Sequence, residues 1–250
     1  MKYLIGDIGN THTKISLLDD KFKILKSFHI KTKKLYKKKN IKFFFKSSLL
    51  KDVNRKILFS SVVPEVYKKI KFFLIKFKVY EIHDFNIKKI LKFNVDKVKK
   101  VGSDRIANAI GSNFKYKKSS IVIDFGTATT FDIIKFPGVY CGGVITPGIN
   151  LSILNLNKST ALLPKLKIQT TKKIYGKNTH EALNSGFIWG YQGLINNIIK
   201  KITLFNKSKY KVILTGGYAK LFKNYIYRKS IVDENITITG VMETYKKFLK

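Results

Sequence analysis

Short apolar runs bounded by polar turns alternate with stretches of helical spacing along the first half of the chain. Such runs predict strands, because successive side chains of a strand point to opposite faces. Pro64 suits the first turn of a helix through EVYKKIKFFLIKF (65–77), and DRIANAIGSNF (104–114) also has helical spacing. The predicted strands are KYLIG (2–6), TKISLL (13–18), FKILKSFHI (22–30), KILFSSVV (56–63) and VYEI (79–82).

The second half of the chain repeats this order of elements. Each half is predicted to contain a three-strand meander followed by alternating helices and strands, which indicates an α/β fold of mixed sheets flanked by helices. The elements predicted for this half are the strands SSIVIDFG (119–126), TTFDIIK (129–135) and VYCGGVI (139–145), a helix from Gly148, a long helix from Thr179 to Phe205, the strand KVILTGG (211–217), a further helix and the strand ITITG (236–240).

One turn sequence, D-x-G followed by threonines, opens both halves. It occurs in IGDIGNTHTK (5–14) and again in VIDFGTATT (122–130), each time after a strand and before the next strand of a meander. One such turn could arise by chance, but two in matching positions indicate a duplicated domain. We therefore expect an N-terminal domain over residues 1–116 and a C-terminal domain over residues 117–250.

The net charge of +35 invites a nucleic-acid interpretation, but the composition argues against a dedicated surface. The chain has 47 lysines and only 3 arginines, whereas proteins that read nucleic acid favour the planar fork of arginine. The lysines are scattered, and they accompany an abundance of Phe, Tyr, Ile and Asn that is typical of an AT-rich genome. We expect no specific nucleic-acid partner, although weak nonspecific binding of polyanions is expected.

The length of 250 residues and the 44% hydrophobic content predict a folded protein with a real core. No apolar run approaches the roughly 20 residues that span a bilayer, and Asp7 comes too early for the apolar region of a signal peptide. The single cysteine, Cys141, excludes an internal disulfide, and no Cys/His group has the spacing of zinc ligands. We expect a soluble cytoplasmic protein without a membrane partner.

The repeated turn combines groups that suit phosphate. A glycine after the aspartate allows a sharp turn that presents backbone N–H groups, and threonine hydroxyls and Lys14 add further donors. The carboxylates of Asp7 and Asp124 could hold a cation that bridges phosphate oxygens. Neither turn has the GxxxxGK[ST] spacing of the common phosphate loop. The alternative is that both aspartates are simple turn formers whose side chains bond to their own backbone.

Seven motifs in order resemble those of the type III pantothenate kinases. The resemblance runs from one end of the chain to the other and implies two RNase-H-like, actin-like ATPase domains with the active site in the cleft between them, usually in a homodimer. It implies ATP-dependent phosphorylation of pantothenate, the first step toward coenzyme A. The motifs are DIGNTHTK (7–14), SSVVP (60–64), VGSDRIAN (101–108), DFGTATT (124–130), GGVITPGI (142–149), GKNTHEALNSG (176–186) and LTGG (214–217).

The same resemblance assigns the ATP site. In the second turn it implies that Asp124 binds a monovalent cation, K⁺ or NH₄⁺, and that Thr127 contacts ATP. Asp7 is also the candidate for the site of the Mg²⁺ that accompanies ATP. The ATP-binding residues of the first turn would be Asp7, Ile8, Gly9, Asn10, Thr11, His12, Thr13 and Lys14.

The motif VGSDR would hold pantothenate through Gly102, Ser103, Asp104 and Arg105, with Asp104 as the base that accepts the proton of the attacking hydroxyl. Arg105 is an arginine in a chain where lysine is otherwise the rule, which indicates a need for bidentate geometry toward the substrate carboxylate. The alternative for these two residues is a helix N-cap followed by a surface cation.

Thr179 matches a family position that contacts the substrate across the dimer interface, and it could also serve as the N-cap of the long helix. One segment departs from the family. Where a tyrosine and a proline are common before the GSDR motif, this chain has Val95 and Val98, which leaves Phe93 as the aromatic candidate for the substrate pocket.

Two other functions remain open. One is a different small-molecule kinase or nucleotide hydrolase of the same fold, since substrates vary widely on this scaffold. The other is a regulatory or nucleic-acid-binding protein like the Bvg accessory factors, a name also given to members of this family. The motifs VGSDR and GKNT favour pantothenate kinase.

Overall fold

The computed structural model describes all 250 residues as eleven strands and eight α-helices joined by turns and short 3₁₀ segments. The strands are β1 (Tyr3–Ile8), β2 (His12–Leu18), β3 (Ile24–Lys31), β4 (Lys56–Ser61), β5 (Lys78–Glu81), β6 (Lys92–Phe93), β7 (Ser120–Phe125), β8 (Ala128–Lys135), β9 (Val139–Pro147), β10 (Lys211–Gly216) and β11 (Ser230–Val232). The helices are α1 (Lys38–Phe44), α2 (Ser47–Leu50), α3 (Pro64–Phe73), α4 (Ser103–Tyr116), α5 (Ile149–Lys158), α6 (Thr179–Asn206), α7 (Ala219–Phe222) and α8 (Ile236–Phe248).

The strands form two sheets whose orders correspond. The first sheet runs β3-β2-β1-β4-β5, with antiparallel pairs within the β1–β3 meander and parallel pairs from β1 through β4 to β5. The second runs β11-β10-β7-β8-β9-β6, so its strands β9-β8-β7-β10-β11 repeat the first order. The predicted mixed α/β architecture of two sheets flanked by helices is confirmed, and the repeated order agrees with a duplication.

The chain forms two compact units, each built from separate stretches. Unit 1 comprises residues 1–117, 134–142 and 235–250, and unit 2 comprises residues 118–133 and 143–234. The chain therefore leaves unit 1 after Lys117, passes through it again at residues 134–142, and returns to it finally at Asn235. The division into domains 1–116 and 117–250 stays a prediction.

The core of unit 1 lies on one face of its sheet, where alternate apolar residues of β1, β2 and β4 pack against α1 and α3. Leu4 and Ile8 of β1 are fully buried there, as are Ile57 and Phe59 of β4. Gly6 leaves room for the Phe59 ring on this face, because a Cβ at Gly6 would lie 2.5 Å from that ring.

The other side of unit 1 contains a close crossing of α4 and α8. A Cβ at Gly111 would overlap the carbonyl oxygen of Ile236, and a Cβ at Gly240 would overlap that of Ala107. The two glycines therefore let the helix backbones approach directly, while Thr237 Oγ1 donates to Asn108 Oδ1 at 2.7 Å across the same contact. The crossing holds α4 firmly against α8.

The prediction of a strand at ITITG (236–240) is wrong, since these residues form the first turn of α8. Their alternation of isoleucine and threonine fits a strand, but Ile236, Ile238 and Gly240 are buried in a helix that packs on α4. Two short strands were missed, β6 and β11. None of the helices combines the length and apolar character needed to cross a bilayer.

Candidate functional site

The first D-x-G turn connects β1 to β2 at the end of the unit 1 sheet. Gly9 N donates to His12 O at 3.1 Å and closes the turn. Asn10, Thr11 and His12 are exposed at its tip, whereas Ile8 before it is fully buried. The exposed residues are placed to meet a ligand, and Ile8 anchors the turn in the core.

Thr13 stabilises the turn from inside the protein. Its side chain is fully buried, and its hydroxyl lies 3.0 Å from that of Thr32, which in turn donates to Gly9 O at 2.6 Å. Thr32 N also donates to Thr11 O at 2.9 Å. The hydroxyl of Thr13 therefore takes part in a hydrogen-bond chain that fixes the backbone of the turn.

Asp7 and Lys14 face each other across the β1–β2 pair, as register partners. Both are half-buried, so each side chain has one end in the protein and the other toward solvent. Lys14 Nζ donates to Asn235 Oδ1 at 2.6 Å, which connects the turn to the residue that precedes α8. The structure thus brings together a carboxylate, an ammonium and an amide in unit 1.

The second D-x-G turn, in unit 2, is closed differently. Gly126 N donates to Ala128 O at 3.1 Å, and Gly148 N, just before α5, donates to Thr127 O at 3.1 Å. A Cβ at Gly148 would overlap that same carbonyl oxygen. The turn and the start of α5 are therefore in direct backbone contact, with Thr127 exposed.

Asp124 lies at the end of β7 against the loop after β10. Gly216 has a φ of +84°, and a Cβ there would lie 2.5 Å from Asp124 Oδ1. Gly217 N donates to Phe125 O at 3.1 Å and fixes this loop. Only glycine at 216 therefore permits both the left-handed backbone and the approach of the Asp124 carboxylate.

The GSDR segment opens α4 in unit 1. Gly102 is the N-cap residue, so the capping alternative for Asp104 is wrong: Asp104 is the second residue of the helix. Ser103 is buried, its hydroxyl donates to Ser61 O at 2.6 Å, and it accepts from Ser61 N at 3.1 Å. The Ser103 side chain thus fastens the start of α4 to the end of β4.

The environment of Asp104 favours its neutral form. Burial raises the pKa of Asp104 above its ordinary value, against the opposing effects of the Arg105 N–H, which donates to Oδ1 at 2.8 Å, and of the Arg105 charge. A Cβ at Gly102 would lie 2.6 Å from Asp104 Oδ1, so glycine makes room for the carboxylate. A carboxyl group with a raised pKa at a helix start is suited to accept a proton.

Thr179 is exposed as the first residue of α6 in unit 2. The N-cap is Asn178, whose side chain accepts from Glu181 N at 2.9 Å, so the proposed capping role of Thr179 is wrong. The Lys173 ammonium, 2.5 Å from the exposed Glu181, holds the pKa of Glu181 below its usual value. These contacts leave Thr179 exposed at the end of an ordered helix.

The segment with the altered substrate residues lies in unit 1. Phe93 packs on Tyr140 with ring centroids 5.8 Å apart, and Val95 lies beside Gly142, where a Cβ would be 3.6 Å from the valine side chain. An aromatic pair is therefore present two residues before Val95.

No cluster of three or more histidine, cysteine, aspartate or glutamate side chains in the structure could hold a metal by itself. Asp7 as a single carboxylate still fits a magnesium ion that accompanies a nucleotide, because Mg²⁺ is commonly bound by one or two carboxylates together with phosphate oxygens and water. Asp124 and neighbouring backbone carbonyls offer the oxygen donors that suit a larger monovalent cation.

Sequence reasoning missed the residues that support these side chains. Ser61 was identified only as part of the motif SSVVP. Its hydrogen bonds to Ser103, which hold the start of α4, are visible only in the folded structure. Asn235 and α8 were missed, since the adjacent ITITG alternates like a strand. The asparagine before an apolar run was the one available sign of a helix start.

A family model described as type III pantothenate kinase matches residues 3–201. The chain belongs to this family. The type III pantothenate kinase of Pelagibacter ubique (strain HTCC1062) is 41% identical over 96% of each chain.

Solved structures extend the likeness to the fold. A Campylobacter jejuni protein described as a Baf family transcriptional activator superposes with a TM-score of 0.62 at 21% identity over 98% of each chain. An inorganic polyphosphate/ATP-glucomannokinase from Arthrobacter sp. strain KM gives a TM-score of 0.52 at 14% identity, over 98% of this chain and 99% of that one. At such identities these structures show that this pantothenate kinase family member has the actin-like ATPase and sugar-kinase fold, and nothing about its substrate.

Proposed function

We propose that this protein transfers the γ-phosphate of ATP to the primary hydroxyl of pantothenate, giving 4′-phosphopantothenate in the first step of coenzyme A biosynthesis. The observation that carries the proposal is the family match over most of the chain, which includes the GSDR segment at the start of α4. The cytoplasm, where ATP and pantothenate are available, is the proposed place of action.

In unit 1, Asp104 is the proposed base. Its raised pKa makes the carboxylate a better proton acceptor than an ordinary aspartate, so it can take the proton from the substrate hydroxyl as that oxygen attacks phosphorus. Gly102 and Ser103 shape the start of α4, and Arg105 supplies a planar cation for the carboxylate of pantothenate. Phosphoryl transfer needs this alignment more than covalent chemistry.

The first turn is the proposed phosphate site. The exposed Asn10, Thr11 and His12 and the half-buried Lys14 offer donors to the phosphate oxygens of ATP. Asp7 would hold Mg²⁺. When bound, this ion neutralises charge on the phosphates during transfer. The buried residues Ile8 and Thr13 keep Gly9 and the rest of the turn in shape.

In unit 2, we propose that Asp124 binds the monovalent cation, K⁺ or NH₄⁺, and that Thr127 contacts ATP. The close approach of Asp124 to Gly216 supports a defined position for this carboxylate. A cation at this carboxylate would stabilise the loop after β10 and the turn together.

We also propose a homodimer, with a second copy of this chain on one face of α5 and α6. An apolar groove of about 630 Å³ opens there without a charged residue in its wall, whereas the chain as a whole carries +35. Two copies can meet on this neutral face without bringing lysines together. The groove is lined by Leu156, Leu163, Leu183, Phe187, Tyr191 and Leu194, among others.

Sedimentation tests the dimer. The unaltered chain is expected at twice 28.8 kDa, and Gly190→Glu at 28.8 kDa, because the exposed Gly190 has space for a side chain within one copy but not under a second copy. A monomeric unaltered chain, or a dimer that Gly190→Glu leaves intact, would contradict this arrangement.

A coupled assay of ADP release tests the reaction. We expect release that requires pantothenate and K⁺ or NH₄⁺, and that Asp104→Asn abolishes while ATP binding by calorimetry is retained. ATP binding without any response to pantothenate would instead favour another small-molecule acceptor. Failure to bind ATP would sink the kinase proposal and direct attention to polyanion binding by the lysine-rich surface.

A further inference from the structure

We propose that Asn235 is a positioning residue that orients the Lys14 ammonium for the phosphates of ATP. This inference rests on the proposed function, in which Lys14 contacts ATP. The contact that carries it is the hydrogen bond from Lys14 Nζ to Asn235 Oδ1 at 2.6 Å.

The Asn235 side chain does not perform the usual task of its position. Asn235 is the N-cap residue of α8, where an asparagine side chain commonly accepts a hydrogen bond from the first turn of the helix. Here no such side-chain cap forms, and the amide oxygen accepts from Lys14 instead. The amide oxygen therefore meets Lys14 rather than the first turn of the helix.

An asparagine suits this role chemically. A lysine ammonium has three N–H donors on a flexible stem of four carbons, so a single fixed acceptor restricts its direction and takes only one donor. A neutral amide oxygen does this without cancelling the positive charge. An aspartate at the same position would pair with the ammonium and compete with phosphate for it.

Asn235 itself is held in place by the helix that follows it. The backbone of α8 approaches α4 directly at Gly111 and Gly240, and Thr237 bonds to Asn108. Because α4 begins with the GSDR segment, the same helix that fixes Lys14 through Asn235 also fixes the support of Asp104. Through Asn235 and α8, Lys14 in the proposed phosphate site is thereby connected to α4, which carries the proposed substrate residues.

The test compares full-length Asn235→Ser with the unaltered chain. Serine is as good an N-cap as asparagine but is one bond too short to reach Lys14, so α8 and the melting temperature are expected to stay unchanged. The Kd for Mg·ATP by calorimetry is expected to rise about three- to tenfold, because a mobile lysine must be ordered on binding. KM for pantothenate is expected to stay within about twofold.

Two further variants separate positioning from a general structural effect. Asn40→Ser changes an exposed asparagine of unit 1 that bonds to Lys34 O, and it is expected to leave the Kd unchanged. In a Lys14→Met background, Asn235→Ser is expected to have no further effect on ATP, with KM for ATP as the measure if binding is too weak for calorimetry.

The outcomes are distinct. An unchanged Kd in Asn235→Ser, or an equal loss in the Lys14→Met background, overturns the role of Asn235 and leaves the proposed function standing. An unaltered chain that binds no Mg·ATP overturns the proposed function, and the role of Asn235 with it. A loss for ATP alone, which disappears without Lys14, supports the inference.

Discussion

Units 1 and 2 repeat one sheet order and one turn, but their turns differ in what surrounds the aspartate. Lys14 lies opposite Asp7 on the next strand. The strand after Asp124 begins instead with Ala128, which stands between Thr127 and Thr129 in the sequence. Asp124 is instead packed against Gly216. The two related turn sequences thus place a carboxylate opposite a lysine in unit 1 and a carboxylate beside a glycine loop in unit 2.

The glycines in the helices of the two units also differ in their surroundings. The helix glycines of unit 1, Gly111 and Gly240, are covered by backbone within the chain, whereas Gly186, Gly190 and Gly193 of α6 in unit 2 have nothing within 4 Å of a built Cβ. Unit 1 therefore completes its helix contact internally. Unit 2 presents an open face, as expected of a surface that meets a second copy.

Substitution of the two aspartates gives the largest expected contrast. Asp7→Asn is expected to lower kcat about 10²–10³-fold, since the carboxylate proposed to hold the Mg²⁺ that neutralises the phosphates is lost. Asp124→Asn is expected to cause a smaller loss that appears mainly as a raised requirement for K⁺ or NH₄⁺. Steady-state kinetics across a cation titration separates them, and equal losses at every cation concentration would refute the division of roles.

The helix glycines provide the next contrast. Gly240→Ala forces a methyl group into the Ala107 carbonyl and is expected to destabilise the protein by about 1–3 kcal/mol. Gly193 lies on the face proposed for the second copy, so Gly193→Ala is compared in the monomeric Gly190→Glu background. There it enters open space on a helix and is expected to stabilise by up to about 1 kcal/mol. Urea unfolding measures both, and similar values for the two variants would show that the α4–α8 contact is less tight than the structure indicates.

The raised pKa of Asp104 predicts how both stability and activity depend on pH. The pKa of Asp104 is raised in the folded state, so the folded state holds the proton more strongly. Stability therefore falls as the pH rises from the unfolded-state pKa through the folded-state pKa, and it stays lower above that. Asp104→Asn is therefore expected to melt at a higher temperature at pH 7 while it loses activity. The acid limb of the kcat/KM profile is expected above the pH range of an ordinary aspartate. A lower melting temperature for Asp104→Asn would contradict this interpretation.

The smallest expected effects concern buried hydroxyls. Ser60 in unit 1 and Thr129 in unit 2 are fully buried, and their hydroxyl oxygens make no hydrogen bond, whereas the buried Ser16 bonds to Ser27 at 2.8 Å. Ser60→Ala and Thr129→Val are expected to be neutral or stabilising, and Ser16→Ala to cost about 1 kcal/mol. Urea unfolding gives the free energy of unfolding of the three variants. A loss for Ser60→Ala as large as that for Ser16→Ala would contradict this expectation.

Local pattern was sufficient for most of the fold. Apolar runs located β1, β2, β4 and β7, Pro64 marked the start of α3, and the repeated turn pointed to the duplicated sheet order. The candidate ligand-binding residues came from the two aspartate–glycine turns and from the resemblance to the pantothenate kinase motifs, and their roles stay predictions.

The supporting residues could not be found in this way, because their partners are distant in sequence. Asn235 meets Lys14 across 221 residues, and Ser103 meets Ser61 across 42. At 236–240 the alternating pattern was misleading, since close packing at Gly240 decides in favour of a helix. Tertiary contact overrode local preference at the very segment that supports the proposed site.

The return of the chain to unit 1 at Asn235 has a consequence for protein synthesis. Residues 1–117 emerge from the ribosome first, but α8, the helix against which α4 packs, is translated only after the whole of residues 118–234. At about 5–20 residues per second, the wait is on the order of ten seconds. During that interval the α8-facing side of α4 is a natural surface for a chaperone, and a nascent chain arrested before residue 235 is expected to remain bound to one.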